Sequence, residues 1–199
     1  MKLLWLTTYF TGLIWSVIHP LDYFTWFLEA APALICLAIL AWTYKRFPLT
    51  PLTYALILIH CLILFLGAHY SYEKVETFKF IRDFFGWQRN NYDKLGHFAQ
   101  GFVPAILARE ILLRHGVVNG RGWLNLLVVS ICLAFSALYE LFEWGVAVFS
   151  GASADGFLAT QGYMWDTQSD MAMALAGATL ALTILSKVHD RQLYFLLPK

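Results

Sequence analysis

The sequence predicts an all-α fold, a polytopic membrane helix bundle with about six transmembrane helices, in a single integral membrane domain over residues 1–199. Hydrophobic residues make up 59% of the chain and charged residues 14%, whereas soluble domains contain roughly 45–50% and about 25%. Six apolar runs also approach the length of roughly 17–25 residues that a membrane-crossing helix needs. Backbone groups in hydrocarbon must bond internally, and the runs lack the alternation of barrel strands, so we predict helices.

The first span is the shortest, and Lys2 precedes it, so a cleaved signal peptide is the alternative interpretation. No small-residue cleavage site follows Ile18, and we therefore retain it as a span. The second span stops at the basic pair Lys45 and Arg46, and a long polar connection precedes the fourth. The six predicted spans cover residues 3–18, 24–44, 52–70, 95–113, 123–149 and 171–186.

The connection over residues 71–91 is the longest polar segment. Its apolar residues Val75, Phe78, Ile81 and Phe85 recur at helical spacing between charged residues. This spacing predicts an amphipathic helix that lies on the outer face of the membrane. A solvated connector is the alternative.

Lysine and arginine predict the orientation, because the cytoplasmic connections of membrane proteins carry an excess of these residues. With both termini inside, eight of them flank the spans on the cytoplasmic side, and five lie in the single connection before the fourth span. We therefore predict that both termini are cytoplasmic.

Composition excludes two other classes of site. The net charge of +1 supplies no basic surface for nucleic acid, so we expect no nucleic-acid partner. Cys36, Cys61 and Cys132 lie in separate apolar runs, which predicts neither a disulfide framework nor a cysteine metal motif.

Ionisable side chains within spans are costly, so each requires a partner or a function. They recur at helical spacing in three segments. In the predicted orientation the fourth and sixth spans begin outside and the fifth ends there, so the three sets share one depth near the periplasmic face. Asp22, Glu29 and His69 lie near that depth as well. The three sets are Asp93, His97 and Gln100; Ser136, Glu140 and Glu143; and Asp166 and Asp170.

These carboxyl groups cannot all be ionised together in a low dielectric, so either several are protonated or a cation binds among them. Oxygen ligands with one imidazole suit Mg²⁺, Mn²⁺, Fe²⁺ or Zn²⁺. A bound metal turns water into a nucleophile at neutral pH, and Glu140 and Glu143 are the catalytic acid/base candidates. The predicted metal ligands are Asp93, His97, Glu140, Asp166 and Asp170.

A structural role is the alternative for the same residues. Glu140 and Glu143 then pair with Arg89 and Lys94 in a network that joins the helices. Asp166 is then the N-cap of the sixth helix, a common role for aspartate at a helix start. The shared depth of three separate segments favours a functional site.

Other polar and small residues have simpler interpretations. Glu110 and Arg114 form an i,i+4 ion pair at the cytoplasmic end, and Arg109 extends its charge to the membrane interface. Small residues let the sixth helix pack closely on a neighbour. These small residues are Ala174, Gly177, Ala178 and Ala181.

The run Asp93-Lys94-Leu95-Gly96-His97-Phe98, the later Glu140 and the run from Asp166 to Met171 resemble the YjdF-type family of bacterial inner-membrane proteins. The resemblance covers most of the chain and implies a location in the bacterial inner (plasma) membrane. The chain is more distantly similar to VanZ-like membrane proteins, which share the Asp-Lys-x-x-His-Phe start, the following Glu and a closing Asp pair. It departs from the VanZ-like pattern at Glu143, where Gln is expected.

We expect metal-assisted hydrolysis or transfer that acts on a lipid or cell-envelope precursor, with membrane lipid as the surrounding partner. A proton- or cation-coupled transporter is the first alternative. It is disfavoured because the sequence has no inverted repeat and few polar residues in the cytoplasmic half beyond Arg109 and Glu110. A structural or accessory membrane subunit is the second alternative. The oligomeric state is left open.

Overall fold

The computed structural model describes residues 2–150, 158 and 160–196. A short 3₁₀ turn, Tyr72–Lys74, separates the third and fourth of its α-helices. Within the described residues every regular element is helical, which confirms the all-α prediction. The α-helices are α1 (Lys2–Val17), α2 (Tyr23–Thr43), α3 (Pro51–Tyr70), α4 (Glu76–Phe85), α5 (Tyr92–Arg114), α6 (Arg121–Ser150) and α7 (Asp166–Leu193).

Four of the described helices, α2, α3, α6 and α7, are long and apolar enough to cross a bilayer. Helix α1 has 16 residues, which is short for a membrane-crossing helix. Helix α5 is long enough but less apolar, because it carries charged residues near both ends. Membrane crossing by α1 and α5, and with it the total of six spans, stays a prediction.

The sixth predicted span, residues 171–186, is shorter than the helix that forms, Asp166–Leu193. The extra first turn contains Asp166 and Asp170, whose carboxylates are paired with basic side chains of the neighbouring chain segment. The extra last turns contain His189 and Asp190, which bond to Arg109 on α5. Hydropathy does not predict the two extensions, because their polar residues make these turns hydrophilic in sequence. In the folded chain the polar groups are paired with residues of other segments.

Helices α5 and α7 lie side by side and run in the same direction, since Lys94 contacts Asp170 near the helix starts and Arg109 contacts His189 near the ends. Glycine permits their close approach. A Cβ atom at Gly101 would lie 1.8 Å from the carbonyl oxygen of Ala174. The predicted close packing of α7 is confirmed, and the residues that line it, Ala174, Gly177, Ala178 and Ala181, are buried.

Helices α1, α2 and α3 pack around an aromatic core. Tyr9 is fully buried and donates its hydroxyl hydrogen to the carbonyl oxygen of Ala33 at 3.0 Å. Its ring stacks on Trp5 and meets Phe65 edge to face, with ring centroids 5.4 and 5.1 Å apart. Helix α2 is capped by Asp22, which accepts the Thr25 N–H at 2.7 Å, and this bond lowers the pKa of the Asp22 carboxyl.

The connection between α3 and α5 contains the predicted amphipathic helix, as α4. Val75, just before it, is fully buried, and Phe78 packs edge to face on Tyr92 at 5.0 Å. The side chain of Phe85, the last of the four apolar positions, is 60% exposed, and the location of α4 on the membrane surface stays a prediction. Helix α4 ends at Phe85 with Gly86 in the left-handed region, and the Phe85 ring stacks on Trp87.

We predict that Gly101→Ala destabilises the protein, because the added methyl group overlaps the backbone of α7. Overpacking of this kind costs about 1–3 kcal/mol. The measurement is the free energy of unfolding of detergent-purified protein. Gly145→Ala on α6 is the matched control, since outside the local backbone of α6 no atom of the described residues lies within 4 Å of its added Cβ. Equal stability of the two variants would contradict the close helix contact.

Candidate functional site

The start of α5 presents one polar face to a small cavity. Asp93, Gly96, His97 and Gln100 line this cavity, whose volume is about 70 Å³. Asp93 and His97 are both buried, and the Nε2 atom of His97 lies 3.4 Å from the Oδ1 atom of Asp93. The i,i+4 spacing read from the sequence therefore places a carboxylate directly against an imidazole.

The end of α6 closes the site from a second side. The Oε1 atom of Glu140 lies 3.6 Å from the Nε2 atom of His97, and Glu140 is buried. Glu143, one turn further on, lines the cavity with Tyr139. The predicted face of α6 also includes Ser136, which is fully buried and whose hydroxyl has no hydrogen-bond partner in the described part of the chain.

The start of α7 is held by two basic side chains. Lys94 lies 2.8 Å from Asp166 and 2.6 Å from Asp170, and Arg89 lies 2.7 Å from Asp166. Both cations also face the ring of Tyr163, with Arg89 5.1 Å and Lys94 5.9 Å from its centroid. Helical spacing does not predict this aromatic contact, because Tyr163 belongs to the connection rather than to a span.

These contacts correct two structural interpretations. The residue at the N-cap of α7 is Trp165, and Asp166 is the first helical residue. Lys94 pairs with Asp93, Asp166 and Asp170 at the starts of α5 and α7 rather than with Glu140 or Glu143, and Arg89 pairs with Asp166. The basic side chains before and at the start of α5 thus pair with the two aspartates at i,i+4 spacing on α7.

Two groups of side chains have ligand atoms within 4.8 Å of one another. The first is Asp93, His97 and Asp170, and the second is His97, Glu140 and Glu143. Among the predicted ligands, Asp166 belongs to neither group, because Arg89 and Lys94 hold its carboxylate. The other predicted residues converge on His97.

Of the three further residues at the predicted depth, one reaches the cavity. Glu29 lines it from α2 and is only 1% exposed. Asp22 is exposed and serves as the N-cap of α2. His69 packs on Trp15, with ring centroids 4.3 Å apart, and its Nδ1 atom lies 3.2 Å from the carbonyl oxygen of Ser16.

Several buried polar atoms of the site lack a hydrogen-bond partner among the residues that the structure describes. They are Nδ1 of His97, Oε1 of Glu140 and both carboxylate oxygens of Glu29. A buried polar group without a partner costs about 1–3 kcal/mol, and a charged group costs more. These groups around one cavity make it the candidate functional site of the described residues.

The opposite end of α5 carries a second buried polar cluster with different bonding. Glu110 is fully buried and accepts hydrogen bonds from the backbone and hydroxyl of Thr50 and from the hydroxyl of Thr53. Arg114 donates to Glu110 at 3.1 Å, as the predicted ion pair requires. His189 lies 3.2 Å from Glu110, and the cluster joins the start of α3 to the ends of α5 and α7.

Arg109 belongs to this second cluster, and its assignment to the membrane interface is wrong. Its side chain is 7% exposed, contacts Asp190 at 2.5 Å and donates to Nδ1 of His189 at 3.0 Å. Because Nδ1 accepts from arginine, the His189 ring carries its proton on Nε2 and donates it to Glu110. The sequence missed these partners because they lie beyond the predicted end of the sixth span.

We predict that Lys94→Met destabilises the protein by about 3–5 kcal/mol, because it leaves the buried Asp170 carboxylate without its cation. The measurement is the free energy of unfolding in detergent. Adding Asp170→Asn should restore much of the loss. Lys79→Met is the control, since its partner Glu76 is exposed and such a pair contributes about 0–1 kcal/mol. Similar losses in both single variants would refute the role of Lys94.

Comparison with known proteins agrees with this architecture. The chain is 49% identical over 181 residues to the inner membrane protein YjdF of Escherichia coli (strain K12), which covers 91% of this chain and 87% of that protein. No solved structure matches the chain. The more distant similarity to VanZ-like proteins stays a prediction. A family described as "Predicted membrane protein (DUF2238)" matches residues 1–191, and the chain therefore belongs to this family of membrane proteins.

Proposed function

We propose that this chain is a bacterial inner-membrane protein that binds a divalent cation at the start of α5 and uses it for hydrolysis or group transfer on a lipid or cell-envelope precursor. The observation that carries the proposal is the difference between its two buried polar clusters. The carboxylate and imidazole of the Glu110 cluster have partners, and the atom there without a partner among the described residues is Nε of Arg109, a hydrogen-bond donor that cannot bind a cation. At the other end, buried atoms of His97, Glu140 and Glu29 have no such partner.

The donor set suits a hard or borderline divalent metal. Several carboxylates and one imidazole match the preferences of Mg²⁺, Mn²⁺, Fe²⁺ and Zn²⁺. Of the two ligand groups, His97, Glu140 and Glu143 are the better position for a cation. The first group already has a cation, because the ammonium of Lys94 lies 2.6 Å from Asp170.

The residues around such a site have different roles. Asp93 lies 3.4 Å from Nε2 of His97, so it orients the imidazole through that nitrogen and leaves Nδ1, which has no partner among the described residues, as the nitrogen that would bind the metal. Glu143 lines the cavity and is placed to accept or return a proton. When bound, the metal supplies a nucleophilic water at neutral pH and polarises the group under attack. Arg89, Lys94 and Asp166 keep α7 against this assembly.

The substrate class follows from the position of the cavity. It lies among α2, α3, α5 and α6, three of which are apolar and long enough to cross a bilayer. A substrate that reaches it carries a polar group to the edge of the hydrocarbon region, as a lipid headgroup does. The inner membrane is proposed from the relative in Escherichia coli, which bears that location in its name. Both termini on the cytoplasmic side would place the cavity near the periplasmic face.

A cation- or proton-coupled transporter is the second candidate function. It is favoured by one observation, the second buried polar cluster at the opposite end of α5. About 18 Å of helix separates His97 from Arg109, at 1.5 Å per residue. Phe102, Val103 and Ile106 belong to the apolar cores that fill this interval. A pocket at one end fits these contacts better than a continuous polar path.

We predict that detergent-purified protein, supplemented with Mn²⁺ or Zn²⁺ and then desalted, retains close to one metal ion per chain. Glu140→Gln and His97→Ala should lose the metal while they stay folded, because each removes a ligand atom from the His97, Glu140 and Glu143 group. Elemental analysis measures the metal, and circular dichroism checks the fold.

Glu76→Gln is the matched control, since it neutralises an exposed glutamate on α4 that pairs with Lys79. Its metal content should equal that of the unmodified chain. Absence of metal from the unmodified chain after supplementation would overturn the metal-dependent function and favour the transporter. Unfolding of Glu140→Gln, without metal in the unmodified chain, would favour a structural subunit.

A further inference from the structure

Glu29 is a charged residue in an apolar helix with no structural role that accounts for it. It is 1% exposed, and its helical neighbours Ala30 and Ala33 are fully buried. Neither of its carboxylate oxygens makes a hydrogen bond of normal geometry, although the backbone of Tyr72 lies close to the carboxylate. Ionisable residues within membrane helices are expensive to bury, so a residue of this kind indicates a function.

The cavity places Glu29 opposite the proposed metal ligands. Glu29 and Pro32 line it from α2, whereas Asp93 and His97 line it from α5 and Glu143 from α6. Its volume of about 70 Å³ is enough for a few water molecules, since one water needs roughly 10–15 Å³ measured in the same way. Glu29 belongs to neither group of close ligand atoms, so water fits between its carboxylate and the His97 group.

We propose that Glu29 binds the cation through water held in this cavity and thereby completes the site from a third helix. This inference rests on the proposed function. A carboxylate at that position accepts hydrogen bonds from metal-bound water, which satisfies two oxygens that make no hydrogen bond of normal geometry to the described residues. It also adds negative charge from α2, so that cation binding draws α2 towards α5 and α6.

The test is the affinity of the full-length, detergent-purified chain for Mn²⁺, followed by the electron paramagnetic resonance signal of free Mn²⁺. Loss of an outer-sphere partner typically lowers metal affinity by about 10–100-fold, and we expect a decrease of this size for Glu29→Gln. Glu29→Asp, which keeps the charge, should recover part of the affinity. Thermal stability without metal should stay equal or rise in Glu29→Gln, because a buried carboxylate without a partner has been removed.

Asp22→Asn is the matched control. It removes one negative charge from the start of the same helix, at an exposed position, and asparagine keeps the N-cap. Its affinity for Mn²⁺ should stay close to that of the unmodified chain, because exposed charges are screened by salt. An equal decrease in both variants would show a general charge effect and overturn the assignment of Glu29.

The outcomes separate this inference from the proposed function. If the unmodified chain binds no Mn²⁺, the metal site itself is wrong. If it binds Mn²⁺ and Glu29→Gln binds equally well, only the role of Glu29 is overturned. Glu29→Met is a second neutral variant in case Glu29→Gln does not fold. Unfolding of both neutral variants would assign Glu29 a structural role and overturn the inference.

Discussion

The close contact between α5 and α7 positions both of the buried polar clusters. Gly101 brings the backbones so near that a single Cβ would meet the Ala174 carbonyl oxygen. Because the two helices run in the same direction, this one contact sets the register at both ends. It places Lys94 between two aspartates of α7, and Arg109 beside His189. Small residues thus determine which polar groups meet.

The buried charged groups at the two ends of the α5 and α7 pair differ in how many of their atoms have partners. At one end Glu110 accepts several hydrogen bonds, so its charge is neutralised and its oxygens are bonded. At the other end Lys94 satisfies the aspartates of α7, while His97 and Glu140 keep atoms without partners. Satisfied clusters lock helices together, whereas incompletely satisfied clusters are costly unless a ligand completes them. This difference in hydrogen bonding distinguishes the Glu110 cluster, which joins helices, from the candidate ligand site around His97.

A site made by several helices also links binding to helix packing. His97 comes from α5, Glu140 from α6, Asp170 from α7 and Glu29 from α2. Metal binding in such a site strengthens the association of the helices, because the folded arrangement alone brings the ligands together. Lys94 limits the negative charge when no cation is bound, since it already pairs with Asp166 and Asp170. The basic residue and the proposed metal therefore stabilise neighbouring parts of one acidic cluster.

Composition and helical spacing are local properties, and they were enough to predict the all-α membrane class and the order of the helices. They also predicted the i,i+4 pairs of Asp93 with His97 and of Glu110 with Arg114. Contacts between helices that are distant in the chain establish which of these pairs remain incomplete. These contacts joined Lys94 to Asp166 and Asp170, removed Asp166 from the His97 group and brought Glu29 to the cavity. These pairings depend on the register between helices that are distant in the chain. Small residues in the helix contact determine this register, and hydropathy does not encode it.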